Sequence, residues 1–234
     1  MEQSYSLIFW KRQMEDTDTR SLAKLVYEIL EKLISYHSEL YPQYLPARSK
    51  RNVNKFILCE EELVTLLDKG LNKERQYSLD LGTTVAFFTS LDEEKSAKIL
   101  FSIGYDSPLL DNSIVIDFPA TMNEFIGKNT LRLYTLFQDI VEIFQPYYAF
   151  VANSLNNHIF NHDWIDKPCC VHWMNYFSRE TVQLIGEKKF RGLKGITAGG
   201  DGIFLLLQNN LFDAADTAAL KQQAHITRRL GLYR

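Results

Sequence analysis

The residues best suited to chemistry cluster in the C-terminal half of the chain. His158 and His162 have the H-x3-H spacing that sets two imidazoles on one face of a helix, and Cys169, Cys170 and His172 follow closely. Imidazoles and thiolates are the ligands zinc prefers, four to a structural site. The two cysteines are adjacent rather than separated as C-x2-C, so their side chains point apart. Asn157 and Asn161 also weaken any helix over this stretch. The expectation is half-buried His and Cys side chains, with no metal and no other cofactor.

Glu187-Lys188-Lys189 has the E-x-K form that holds Mg²⁺ in restriction-endonuclease-like nucleases. That chemistry needs an upstream carboxylate on a neighbouring strand, for which Asp117, Asp163 and Asp166 are available. The tripeptide lies between Gly186 and Gly192, in a segment that reads as a basic loop. Gly195, Gly199, Gly200 and Gly202 suggest a phosphate loop, but they precede an apolar strand instead of following one and opening a helix. A tight bend before Ile203–Leu207 fits them better. Neither G-x-S-x-G nor H-E-x-x-H occurs. A metal-dependent hydrolase or nuclease built on His158, His162, Asp163 and Cys169, or on Glu187 and Lys189, is the enzymatic alternative. The main expectation is a protein that is not an enzyme.

The elements that would position these groups follow from hydrophobic periodicity. Tyr5–Trp10 reads as an opening strand. Thr17 and Asp18 are cap residues before a long helix, in which Leu22, Leu25, Val26, Ile29, Leu33 and Ile34 form one apolar stripe. Pro42 and Pro46 mark a loop. A short strand at Phe56–Cys59 and a short helix at Glu60–Leu67 come next. Three strands, Thr83–Thr89, Ala97–Tyr105 and Ser113–Phe118, are joined by the polar turns that link antiparallel neighbours. A central helix spans Asn129–Gln145 and stops at Pro146. Strands at Tyr147–Ala152, Val171–Phe177 and Ile203–Leu207 follow, and Asp213 caps a final helix ending near Gly231. Strands gathered in a run, without βαβ alternation, predict an α+β fold. The sheet should be mainly antiparallel, with the long N-terminal, central and C-terminal helices packed on it, in one domain over residues 1–234.

Composition narrows the function classes. The chain has 234 residues, 46% hydrophobic and 24% charged, with 26 Lys+Arg against 29 Asp+Glu. A net charge of −3 gives no basic excess for displacing counterions from nucleic acid, so no nucleic-acid partner is expected. Three cysteines make no disulfide framework and suit a reducing compartment. Met1–Trp10 lacks a basic, apolar leader pattern, and the apolar run Ile203–Leu207 is far below the ~20 residues of a membrane span. A cytoplasmic protein without membrane contact is expected. The near-neutral total hides a split: Glu60–Glu124 holds thirteen acidic and five basic residues, whereas Arg179–Arg234 holds nine basic and five acidic. Arg48, Lys50, Arg51 and Lys55 add a second basic stretch. An acidic block invites a basic partner, because complementary fields steer association. Among the aromatics, Trp10, Trp173, Tyr147, Tyr148 and Tyr176 lie in strand-like segments and at least half should be core. Tyr41, Tyr44 and Trp164 sit in loops and suit an interface.

The C-terminal third resembles immunity protein family 52. The likeness rests on His172-Trp173-Met174-Asn175-Tyr176-Phe177, then Gly199-Gly200-Asp201-Gly202-Ile203-Phe204-Leu205-Leu206-Leu207, and Phe212-Asp213 leading a closing helix to Leu230. These match the family's W-M-x-Y strand, its glycine-led apolar strand and its F-D helix cap, in that order. The Leu7–Trp10 strand and first helix extend the likeness over most of the chain. The resemblance implies a cytoplasmic antitoxin that binds and neutralises a cognate secreted toxin. For this family, related to type VI secretion immunity proteins, the usual toxin is a nuclease with a restriction-endonuclease-like fold. Carboxylates near the predicted loops would then face the toxin's basic groove: Glu60, Glu61, Glu62, Asp92, Glu93, Glu94, Asp106 and Asp111.

Overall fold

Tyr5, Leu7 and Phe9 alternate with Ser6, Ile8 and Trp10, and this period of two gives the opening strand a buried face and a second face of mixed polarity. In the computed structural model, which describes residues 2–46, 54–70, 82–106, 110–157 and 168–232, that strand lies inside a ten-stranded sheet. The strands are β1 (Tyr5–Lys11), β2 (Tyr44–Leu45), β3 (Asn54–Lys55), β4 (Thr83–Phe88), β5 (Lys98–Ile103), β6 (Asn112–Asp117), β7 (Tyr148–Asn153), β8 (Met174–Phe177), β9 (Ile196–Gly199) and β10 (Gly202–Leu206). Their spatial order is β3-β2-β4-β5-β6-β1-β7-β8-β10-β9, and every pairing is antiparallel. The fold is α+β, as the grouping of strands predicts.

Seven α-helices are described: α1 (Thr19–Tyr36), α2 (Glu60–Gly70), α3 (Asn123–Lys128), α4 (Thr130–Phe144), α5 (Ser154–Asn157), α6 (Arg179–Ile185) and α7 (Thr217–Leu230). Asp18 caps α1, its carboxylate accepting from the Arg20 and Ser21 amides. The apolar stripe of α1 packs against α2 and α4. In α4 the buried Leu133, Phe137, Ile140, Val141 and Phe144 meet the sheet, with the Phe137 ring 5.5 Å from that of Phe9. Gln145 ends α4 in a left-handed conformation at φ 52°, one residue before Pro146.

The register places Leu7, Ile116, Ile99 and Phe87 on the face that α1, α2 and α4 cover. The opposite face differs along the sheet. Over β7, β8 and β10 it is covered: the His172 ring stacks on Phe150 at 4.1 Å, and Phe190 packs edge-on against Phe177 at 5.4 Å. Helix α7 is tied beneath by a bond from the Val171 amide to the Thr227 hydroxyl (3.2 Å) and by Gln223, whose amide donates to the Val171 carbonyl (2.7 Å). Over β4, β5 and β6 the same face holds half-buried Ala86, Leu100 and Val115 beside exposed Thr84 and Lys98.

Several boundaries differ from the sequence expectation. Phe56–Cys59 is not a strand; β3 precedes it, and Phe56 turns inward to meet Phe87 at 4.8 Å. Strand β8 begins only at Met174, because the Asn175 side chain folds residues 172–175 into a turn. Its oxygen accepts from the His172 amide and its NH₂ donates to the His172 carbonyl, both at 2.7 Å. The last helix is capped by Asp216, not Asp213: Asp216 accepts from the Ala218 amide, while Asp213 closes a turn with Ala215. Strands β2 and β9 and helices α3, α5 and α6 lie where no element was expected.

Candidate functional site

The antiparallel register sorts the eight predicted contact carboxylates to the two ends of the sheet. Glu60, Glu61 and Glu62 form the first turn of α2. The far end of that helix abuts the start of β4, where the Thr83 hydroxyl donates to the Leu67 carbonyl at 3.1 Å. The acidic turn therefore sits near the end of β4, the same end as Asp92, Glu93 and Glu94 in the turn to β5. The three glutamates have a structural role too, since negative charge offsets the exposed amides of a helix N-terminus. Asp92 is partly committed to its own turn, accepting from the Glu94 amide and pairing with Lys95 at 3.4 Å. Glu60, Glu61 and all of Asp92–Glu94 are exposed, and Glu62 is half-buried.

Asp106 and Asp111 lie at the opposite end, beside the exit of β1. The Gln13 amide donates to the Asp106 carbonyl at 3.0 Å, and the Tyr147 hydroxyl donates to the Asp111 carboxylate at 3.0 Å. Asp111 is exposed in total area, but its carboxylate backs onto Tyr147. That burial raises its pKa, against the opposing pull of the Tyr147 bond and the Arg12 guanidinium. Arg12 itself lies 5.4 Å from the Tyr147 ring centre.

Next to this end opens a cleft of about 640 Å³. Lys11 enters it from the end of β1 and Arg12 from the residue after it, Glu142 from α4, Glu180 from α6, and Asp201 from the two-residue turn joining β9 to β10. The Tyr176 hydroxyl reaches Asp201 at 2.7 Å, and burial followed by that carboxylate raises its pKa. Burial lowers the pKa of Lys11, with Glu15 opposing. Ser178 spends its oxygen capping α6 through the Thr181 amide. Protonated phenols, a half-buried ammonium and rim carboxylates equip this cleft to hold charged and hydrogen-bonding groups of a partner. Of these cleft residues the sequence pointed to Tyr147, Tyr176 and, within the glycine-led block, Asp201, but to no role for them in a cleft. Only the pairing of β1, β7, β8 and β10 brings them together.

The described candidates for metal chemistry are dispersed. His158, His162, Asp163 and Asp166 lie outside the described residues, as does Trp164. Among the described residues no group of three or more His, Cys, Asp or Glu is gathered closely enough to hold a metal ion. Cys170 is buried with its sulfur 3.4 Å from His172 Nε2, and Cys169 is half-buried. Glu187–Lys189 forms a short 3-10 turn, in which the Lys189 ammonium donates to the Leu230 carbonyl at 2.9 Å and so finishes α7. Asp117 accepts from the Ser6 hydroxyl at 2.6 Å. The glycines form the β9–β10 hairpin: a side chain at Gly202 would strike the Phe177 carbonyl and the Tyr176 ring. Of the aromatics, Trp173, Tyr148 and Tyr176 are core, while Trp10, Tyr41, Tyr44 and Tyr147 are half-buried. No helix among the described residues is long and apolar enough to cross a membrane.

The class defined by this geometry is an α+β fold on one wide antiparallel sheet, with helices across one face and over part of the other. A solved structure of that class is the Pseudomonas aeruginosa T6SS protein PA0821. The likeness has a TM-score of 0.63 and 10% sequence identity, and covers 97% of this chain and 73% of that one. No family model matches the chain, and no curated protein matches it by sequence.

Proposed function

We propose that the chain is a type VI secretion immunity protein: a cytoplasmic, non-enzymatic inhibitor that binds a cognate secreted toxin. The toxin is a nuclease with a restriction-endonuclease-like fold. The observation that carries this reading is the fold likeness, over nearly the whole chain, to a protein named for the type VI system. The resemblance of Trp173–Phe177, Gly199–Leu207 and Phe212–Asp213 to immunity family 52 supports the same reading from sequence. Exposed carboxylates at Glu60, Glu61 and Asp92–Glu94 suit a partner whose groove is basic.

The reading expects a gene for a large secreted toxin beside this one, and the test is co-expression with the C-terminal domain of that toxin. Cells carrying both should grow, and the two proteins should co-purify as a stoichiometric complex. A toxin that stays lethal, with no complex by size exclusion, would overturn the reading.

A further inference from the structure

The two edges of the sheet differ. On one side β3 is two exposed residues ending in Lys55, short and charged as protected edges usually are. On the other side β9, Ile196-Thr197-Ala198-Gly199, has neither a charge nor a proline, and Ala198 and Thr197 are exposed. Its hydrogen-bond phase is fixed by the Leu206 amide donating to the Gly195 carbonyl at 2.9 Å. Bonded pairs alternate along an antiparallel ladder, so Thr197 and Gly199 face β10. The N–H and C=O groups of Ile196 and Ala198 therefore point outward, and no described residue pairs with them.

Beside this edge, on the face of Ile196 and Ala198, lies a second cavity of about 740 Å³. Val182, Phe190, Leu193, Ile196 and Ile203 give it apolar walls, and Arg179, Arg191 and the exposed Glu187 stand at its rim. Both arginines are exposed, and neither is ion-paired with a described residue. Asp201, which also lines the cavity, already accepts the Tyr176 hydroxyl.

We propose that β9 is a docking edge for an extended segment of the toxin, which adds an eleventh strand to the sheet. Main-chain bonds form to Ile196 and Ala198, a large apolar side chain fills the cavity, and flanking carboxylates meet Arg179 and Arg191. This rests on the immunity reading and names its contact surface. The size of the apolar cavity selects this occupant over a second copy of the chain. A two-fold β9–β9 pairing would offer the cavity only Ile196 and Ala198 from the other copy, too little apolar volume to fill about 740 Å³.

Ala198→Pro removes one outward N–H and leaves the ladder to β10 intact, because proline is tolerated where an edge amide faces solvent. With the neighbouring toxin domain as probe, the affinity of this variant should fall roughly ten-fold or more, since a lost bond also strands a buried carbonyl on the partner. Ala198→Val keeps the amide and should bind like the unaltered chain. Hydrogen exchange gives a readout independent of substitution: the Ile196 and Ala198 amides should exchange freely in the lone protein and slow at least ten-fold in the complex. The Thr197 and Gly199 amides should be slow in both. Full affinity of the proline variant, or unchanged exchange at residues 196 and 198, overturns the docking edge while leaving the immunity reading in place. A lone protein that is dimeric, with both amides already protected, also overturns it in favour of the second copy. No binding by the unaltered chain overturns both.

Discussion

Replacing Asn175 with alanine should cost the protein a sizeable part of its stability without touching any surface. The side chain is fully buried on β8. Its oxygen accepts from the His172 amide at 2.7 Å and lies 3.4 Å from the Tyr148 hydroxyl. Its NH₂ donates to the His172 carbonyl at 2.7 Å and to the Leu205 carbonyl at 3.3 Å. Alanine would take the Asn175 partner from both backbone groups of His172, which is itself 2% exposed. Each stranded buried group costs about 1–3 kcal/mol, so the sum is roughly 2–6 kcal/mol, against a total stability on the order of 5–15 kcal/mol. With a urea slope of about 2–3 kcal/mol per M, the midpoint in a circular-dichroism urea titration should fall by about 0.7–3 M. Asn175→Asp separates the two halves of the network, because it keeps the acceptor toward His172 and loses both donors. Its carboxylate would be buried against two carbonyls, so its folded-state pKa would rise. The variant should then regain stability as the pH falls and the carboxyl is protonated. An alanine variant whose midpoint moves by less than about 0.3 M at unchanged slope would refute the claim that this amide organises the turn into β8.

Two further outcomes follow from the charges. Reversing Glu61 and Glu94 to lysine should slow toxin association several-fold at low salt and remove the decline of the on-rate with added salt, while stopped-flow dissociation rates stay unchanged; equal on-rates at every ionic strength would exclude electrostatic steering by this end of the sheet. Both residues are exposed, so the fold should survive. Burial raises the Tyr5 phenol to about 12, with its hydroxyl donating to the Phe212 carbonyl at 2.7 Å, and burial also raises Tyr36, Tyr147, Tyr148 and Tyr176. A raised acid favours the fold while it is protonated. That contribution is complete below pH 10 and, for Tyr5, is lost as the pH climbs through about 12. Tyrosinate absorbance should therefore rise together with the loss of circular dichroism. Ordinary titration of all the tyrosines near pH 10, with the fold intact, would contradict their burial.

The sequence carries the periodic elements well and the irregular ones poorly. Helix α1 is legible because Leu22, Val26, Ile29 and Leu33 keep one stripe behind a capping Asp18, and α4 because Phe137, Ile140, Val141 and Phe144 share one face. Strand β9 is illegible: Ile-Thr-Ala-Gly has no alternation to speak of, and it becomes a strand only because β10 offers it a ladder. Asp213 and Asp216 are both acceptable caps, and only the turn bond from Asp213 to Ala215 decides between them. The cleft around Lys11, Glu142, Glu180 and Asp201 draws on residues from Lys11 to Phe204, so no local pattern announces it. The acidic residues were visible as a block, but their division between the two ends of the sheet is a property of register.

That division separates the two ways a toxin could be held. The turn carrying Asp92–Glu94 joins the third and fourth strands of the sheet, and β9 is the tenth. At ~4.8 Å per strand the two lie roughly 30 Å apart. A standard interface buries about 800 Å² on each partner, which is roughly 30 Å across, so one toxin domain could reach both regions only at opposite rims of its footprint. Perturbations so far apart share no partner atoms, and their free energies should add within about 0.5 kcal/mol. Glu94→Lys should act on the association rate and lose its effect in high salt. Ala198→Pro should act on the dissociation rate at any salt. The double variant should therefore show the product of the two effects in Kd. If either substitution alone abolishes the effect of the other, the toxin engages one region only through the other, and the rigid sheet between them is not the passive spacer that its ladder implies.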